Sequence, residues 1–108
     1  MNTNISAKEI DLNKHLIVDI RTIEEINELS IKNTHLYPID FNTAKEDEVK
    51  SYFEKLYKES DKALVIMCRS GARSSMLCEF LNQEEKIAYN LMGGIIAMCQ
   101  NYPEMIKS

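Results

Sequence analysis

Two short stretches, Leu16-Ile17-Val18-Asp19-Ile20 and Ala63-Leu64-Val65-Ile66-Met67, are apolar almost without interruption. A strand with one wet face alternates apolar and polar side chains, whereas a strand covered on both faces does not. These runs therefore predict buried strands of a parallel sheet. The segments between them follow another period. Ile23, Ile26 and Leu29 fall at helical spacing over 22–29, and Val49, Phe53, Leu56 and Tyr57 share one face of a longer segment, with Lys and Glu opposite. Thr43-Ala44-Lys45-Glu46 ahead of that segment has the capping-box pattern. His35 to Ile39 is a short β-rich run in which Pro38 suits a strand end. Residues 73–82 read as a helix with Leu77, Phe80 and Leu81 inward, and Ile87 to Leu91 as a strand. Gly93-Gly94 breaks the chain before a short helix carrying Ile95, Ile96 and Met98, which Pro103 ends. This alternation implies an α/β fold, a parallel β-sheet flanked by helices on both faces.

With 108 residues, 44% apolar and 28% charged, the chain reads as one globular domain over 1–108. No apolar stretch approaches the roughly 20 residues that span a bilayer. The N-terminus has neither a basic n-region nor a hydrophobic h-region, so the expected location is the cytoplasm. The three cysteines match no zinc spacing, and neither a metal nor another cofactor is expected. A net charge of −4 argues against nucleic acid or an anionic membrane as partner. Residues 62–78 run against that background, with Lys62, Arg69 and Arg73 and no acid.

That basic patch surrounds the most informative residues of the chain. The predicted strand 63–67 ends in Cys68, and Arg69, Ser70, Gly71, Ala72 and Arg73 lead into the next helix. In parallel sheets ligands bind beyond the carboxyl ends of the strands, where Asp19 and Cys68 both fall. A direct strand–loop–helix passage leaves N–H groups without intrahelical partners, and Gly71 allows the backbone to turn them inward as an anion nest. A helix end contributes about 0.3–1 kcal/mol to a nearby negative charge. A guanidinium about 4 Å away adds up to about 4 kcal/mol at an effective dielectric of about 20. Together they can lower a free thiol's pKa of about 8.5 by one or more units, against the opposing effect of burial. The expected species is a thiolate, hence a nucleophile acting on an anionic substrate.

The run Cys68-Arg-Ser-Gly-Ala-Arg-Ser74 resembles the active-site loop of the single-domain rhodanese-like sulfurtransferases. Asp19-Ile20-Arg21 followed by Glu24-Glu25, Pro38, and Leu91-Met92-Gly93-Gly94-Ile95 match further motifs of that family in the same order. The resemblance implies a rhodanese-like fold and a persulfide mechanism. Cys68 takes a sulfane sulfur from a small anionic donor such as thiosulfate and passes it to cyanide or to a thiol, a protein thiol included. It further implies that the N–H groups over 69–73 hold the extra sulfur and that Arg69 and Arg73 bind the donor. Asp19, Arg21 and Ser74 support the loop. A persulfide carrier or a non-catalytic binding module is the alternative. A phosphatase or arsenate reductase ranks lower, because related phosphatases place five residues between Cys and Arg and this chain has four between Cys68 and Arg73.

The motif Gly-His-Ile-Pro-Gly-Ala common in the family is replaced here by Leu29-Ser-Ile-Lys-Asn-Thr34, and the tryptophan often found after Gly-Gly is absent. Cys78 reads as core packing, and so does Cys99, although its region can approach the loop. His15 and His35 have no sequence neighbours that suggest a triad or a metal site.

Overall fold

The computed structural model describes residues 3–83 and 87–107. In chain order it contains β1 (Asn4–Ile5), a 3-10 turn (Ala7–Glu9), β2 (His15–Asp19), α1 (Ile23–Glu28), β3 (Ser30–Ile31) and β4 (Thr34–Leu36). There follow α2 (Glu46–Glu59), β5 (Ala63–Met67), α3 (Ala72–Gln83), β6 (Ala88–Leu91), α4 (Gly94–Asn101), a second 3-10 turn (Pro103–Met105) and β7 (Ile106–Lys107). Five strands form a parallel sheet in the order β1-β6-β5-β2-β4. The two long apolar runs lie side by side at its centre, Asp19 in register with Met67, so Cys68 leaves the central strand next to the end of β2.

Alternate residues of the central strands feed opposite cores. Val18, Leu64, Ile66 and Ala88 face α2 and α3, where they meet Val49, Phe53, Leu56, Leu77 and Leu81. Ile17, Val65, Met67 and Leu91 face the other way, against Ile5, Ala7, Ile95 and Met98. Both faces of β5 are therefore dry, which is why its sequence does not alternate. Helices cover both faces, as the strand–helix alternation predicts.

Some local expectations change. The capping box at Thr43 does not form. Thr43 lies inside the preceding turn, where its N–H and that of Ala44 donate to the Asp40 carbonyl at 3.1 and 2.8 Å. Lys45 becomes the N-cap without a side-chain hydrogen bond, and Glu46, Asp47 and Glu48 meet the positive end of α2 instead. A true capping box closes α1, where Thr22 and Glu25 exchange bonds across the first turn. Ile23 and Ile96 share helical spacing with buried residues but are themselves exposed, and Phe80 is only partly buried. Each lies at the edge of its helix's apolar stripe rather than at its centre. The run from His35 contributes only an edge strand ending at Leu36, before Pro38. Pro103 opens a 3-10 turn just after α4 ends. The antiparallel pair β3–β7, Ser30 with Lys107 and Ile31 with Ile106, is too short to leave a periodic signal.

Phe53 sits at the middle of the larger core with no exposed surface. It meets Tyr37 and Tyr52 edge-on at 5.9 and 5.1 Å, while those two rings stack on each other at 3.7 Å. Phe53→Ala is expected to lower stability by about 3–5 kcal/mol, read from urea unfolding. A loss below about 1 kcal/mol would show that the rings can close over the gap.

Candidate active site

Cys68 ends the central strand with 1% of its surface exposed. A buried thiolate needs donors, and the loop supplies them from the main chain. The Gly71 N–H donates to Cys68 Sγ at 3.1 Å and the Ser74 N–H at 3.4 Å. The Ser74 hydroxyl lies 3.3 Å from the same sulfur. Gly71 reaches this geometry with φ +110°, which a side chain would strain. Burial pushes the Cys68 thiol up, but the Ser74 hydroxyl and the N–H groups of Ser74, Gly71 and Ser70 outweigh it, so the net displacement is downward. These donors favour the anionic form of the sulfur over the thiol.

Ser74 is fully buried, and its hydroxyl has one proton for several acceptors. Besides Sγ, its oxygen makes a short bond to Asn90 Oδ1 and lies 3.2 Å from the Gly71 carbonyl. Asn90 Nδ2 donates to Asn4 Oδ1 at 3.2 Å, which turns the amide oxygen toward Ser74. Sequence reading missed Asn90. Its only signal was a polar residue in an otherwise apolar-aromatic strand, buried here at the carboxyl side of β6.

The start of α4 supports the loop from beneath. The Ile95 N–H donates to the Cys68 carbonyl at 2.9 Å and the Ile96 N–H to the Arg69 carbonyl at 3.4 Å. A Cβ on Gly94 would lie 2.4 Å from both carbonyl oxygens, and its φ of +54° is left-handed. The Gly-Gly pair thus does more than break the chain. It lets a helix end approach the backbone of Cys68 and Arg69.

The arginines are placed unequally. Arg21 is buried and grips Asp19, with Nη2 to Oδ2 at 2.8 Å and Nε to Oδ1 at 3.0 Å. It also donates to the Glu25 and Leu29 carbonyls at 3.2 and 2.7 Å. Its bonds run to β2 and to the end of α1, not to the Cys68 loop itself. Arg73 likewise does not stand open. Its two terminal nitrogens meet the Glu25 carboxylate at 2.7 and 2.9 Å. The Arg73 guanidinium holds the Glu25 carboxyl down at about 2, against the cost of partial burial. Arg69 is exposed and lines a pocket of about 220 Å³ with Glu28, Leu29, Ile95 and Ile96. Ser70 and Ala72 are exposed on the loop and at the first position of α3.

Burial, with the nearby charge of Cys68, pushes the Cys78 thiol up to about 12. It packs under α3, whereas Cys99 is half-buried against the core on the opposite sheet face. Among the described residues, no three His, Cys, Asp or Glu side chains are grouped so as to hold a metal ion. Nor is any helix long and apolar enough to cross a membrane.

The family model described as a rhodanese-like domain matches residues 4–101, nearly the whole of this architecture. The chain belongs to the rhodanese-like domain family. It is 33% identical over 99 residues to a sulfurtransferase of Allochromatium vinosum, covering 91% of this chain and 84% of that protein. A rhodanese-related protein from Thermoplasma volcanium is similar at 26% identity and TM-score 0.71, with 92% of each chain covered. A rhodanese-like domain protein from Staphylococcus aureus is similar at 27% identity and TM-score 0.66, with 91% of each chain covered. The fold expected from the sequence is the one these rhodanese-like relatives share.

Alkylation of Cys68 by iodoacetamide is expected to follow pH with an inflection below the free-thiol value of about 8.5. Ser74→Ala removes the hydroxyl contact and should move that inflection upward by about 1 unit. No movement would mean that the backbone N–H groups alone hold the charge. Gly94→Ala should displace the loop and slow alkylation as well as lower stability.

Proposed function

We propose that the chain is one rhodanese-like domain that transfers sulfane sulfur through a persulfide on Cys68. The observation that carries this reading is the set of N–H donors converging on Sγ at the end of β5. The same donors suit a terminal persulfide sulfur, which also carries negative charge in a nearly dry site. With thiosulfate as donor, the Cys68 thiolate attacks the outer sulfur, a Cys68–sulfur bond forms, and the donor's S–S bond breaks. The bond pair leaves on sulfite, and the persulfide keeps one negative charge. A thiolate or cyanide then takes the outer sulfur and returns Cys68 as thiolate. Charge and electrons balance in both steps without an external oxidant.

In this reading the main chain over 69–73 holds the transferred sulfur, and Arg69 meets the donor's anionic end. Asp19, Arg21 and Ser74 are positioning residues. The engagement of Arg73 by Glu25 argues against the phosphatase alternative, in which that arginine would clasp a phosphoryl group. The carrier or binding-module alternative shares the Cys68 loop and differs in turnover.

Incubation with thiosulfate is expected to add the mass of one sulfur atom to the protein, and Cys68→Ala should abolish the gain. Subsequent cyanide should release thiocyanate repeatedly. A single loaded sulfur without turnover would favour a carrier, and an unmodified Cys68 under several donors a binding module. Arg69→Ala should raise the KM for donor about tenfold while leaving the melting temperature nearly unchanged, since one charge-assisted contact is worth about 1.5 kcal/mol.

A further inference from the structure

Three arginines surround the Cys68 loop, and two of them already have carboxylates. Arg21 is closed on Asp19 and Arg73 on Glu25, each through paired N–H donors. Arg73 is near enough to Cys68 for the sulfur's charge to add to the larger effect of Glu25 in raising the guanidinium's pKa. Its direction is nevertheless taken by Glu25. Arg69 has no ion pair among the described residues, and the pocket it lines also exposes the Glu28 carboxylate. Around the loop the three guanidinium groups of Arg21, Arg69 and Arg73 are matched by the three carboxylates of Asp19, Glu25 and Glu28, before any charge on Cys68 is counted. A dianion gains no net attraction there, and each further negative charge on a donor adds desolvation cost. Leu29, Ile95 and Ile96 give the same pocket apolar walls.

Resting on the sulfurtransferase reading above, we infer that Glu25 is a specificity-determining residue: by occupying both terminal nitrogens of Arg73 it sets the site for sulfane-sulfur donors of single negative charge over the thiosulfate dianion. The bridge does not open with pH in any ordinary assay. Glu25 is held at about 2, so its carboxylate is charged throughout the neutral range. Glu25 also accepts from the Thr22 N–H and hydroxyl through Oε1, both at 3.1 Å. Glutamine keeps an oxygen for those capping bonds but loses the charge that holds Arg73, so Glu25→Gln separates the two roles.

The test compares thiosulfate with the methanethiosulfonate anion, which offers the same outer sulfur with one charge fewer. Attack by the Cys68 thiolate on either leaves a Cys68 persulfide, with sulfite or methanesulfinate departing with the bond pair. Wild type is expected to show the higher kcat/KM with methanethiosulfonate. Glu25→Gln frees Arg73 and should shift the ratio of the two kcat/KM values about tenfold toward thiosulfate, mainly through KM. The double variant Glu25→Gln with Arg73→Gln removes both charges and should return the ratio to within about twofold of wild type. Glu25→Ala, which also frees Arg73, is the second variant should Glu25→Gln fail to melt cooperatively.

An unchanged ratio in folded, active Glu25→Gln overturns the inference alone. A double variant with thiosulfate use reduced well below wild type also overturns it, because Arg73 would then contact the donor despite Glu25. If neither donor leaves sulfur on wild-type Cys68, the sulfurtransferase reading fails and this inference with it.

Discussion

For a sulfur to carry negative charge at the end of a strand that is dry on both faces it has to be met by hydrogen-bond donors, because burying an unpaired charge costs more than a domain of this size can lose. The loop after β5 meets that demand with its own backbone. Gly71 and Ser74 point N–H groups at Cys68 Sγ, and Gly71 adopts a φ of +110° to do so. Within this loop the Gly71 carbonyl accepts from the Ser75 N–H, but two carbonyls ahead of it find their partners elsewhere. Those of Cys68 and Arg69 are taken by N–H groups of α4, which approach because Gly94 has no side chain. Cys68 is thus clamped between two helix beginnings, α3 above and α4 below.

A second layer fixes the helices around that clamp. Asp19 holds Arg21, Arg21 holds the last carbonyls of α1, and α1 presents Glu25 to Arg73 on α3. Buried and half-buried ion pairs contribute little net stability once desolvation is counted, but they are costly to misplace. Their value here is positional. They register α1 against α3 and occupy the guanidinium groups of Arg21 and Arg73.

Much of this could be read in the amino-acid sequence, and the remainder divides by physical cause. The runs at 16–20 and 63–67 are legible because burial on both faces removes alternation. The Cys68 loop is legible because its donors, glycine and thiol are neighbours in the chain. Glu25 and Arg73 lie 48 residues apart, and nothing local to either announces the other. Asn90 carried a faint signal, a polar side chain in an apolar strand, but its partner Ser74 comes from another element. The capping pattern at Thr43 failed because the Asp40 carbonyl takes the Thr43 N–H, from which the Glu46 side chain would have accepted, into a turn with that of Ala44. Ile23 and Ile96 show that helical period locates a stripe but not its edges.

Strand β1 has a role out of proportion to its length. It pairs with β6, and Asn4 orients the Asn90 amide across a separation of 86 residues. That amide aims its oxygen at Ser74, whose hydroxyl touches Cys68 Sγ. Joining remote parts of a chain costs loop entropy before any contact rewards it. The polar network beneath Cys68 is therefore tied to the pairing of β1 with β6, and fraying of that edge strand would release the hydrogen bond that orients the Asn90 amide.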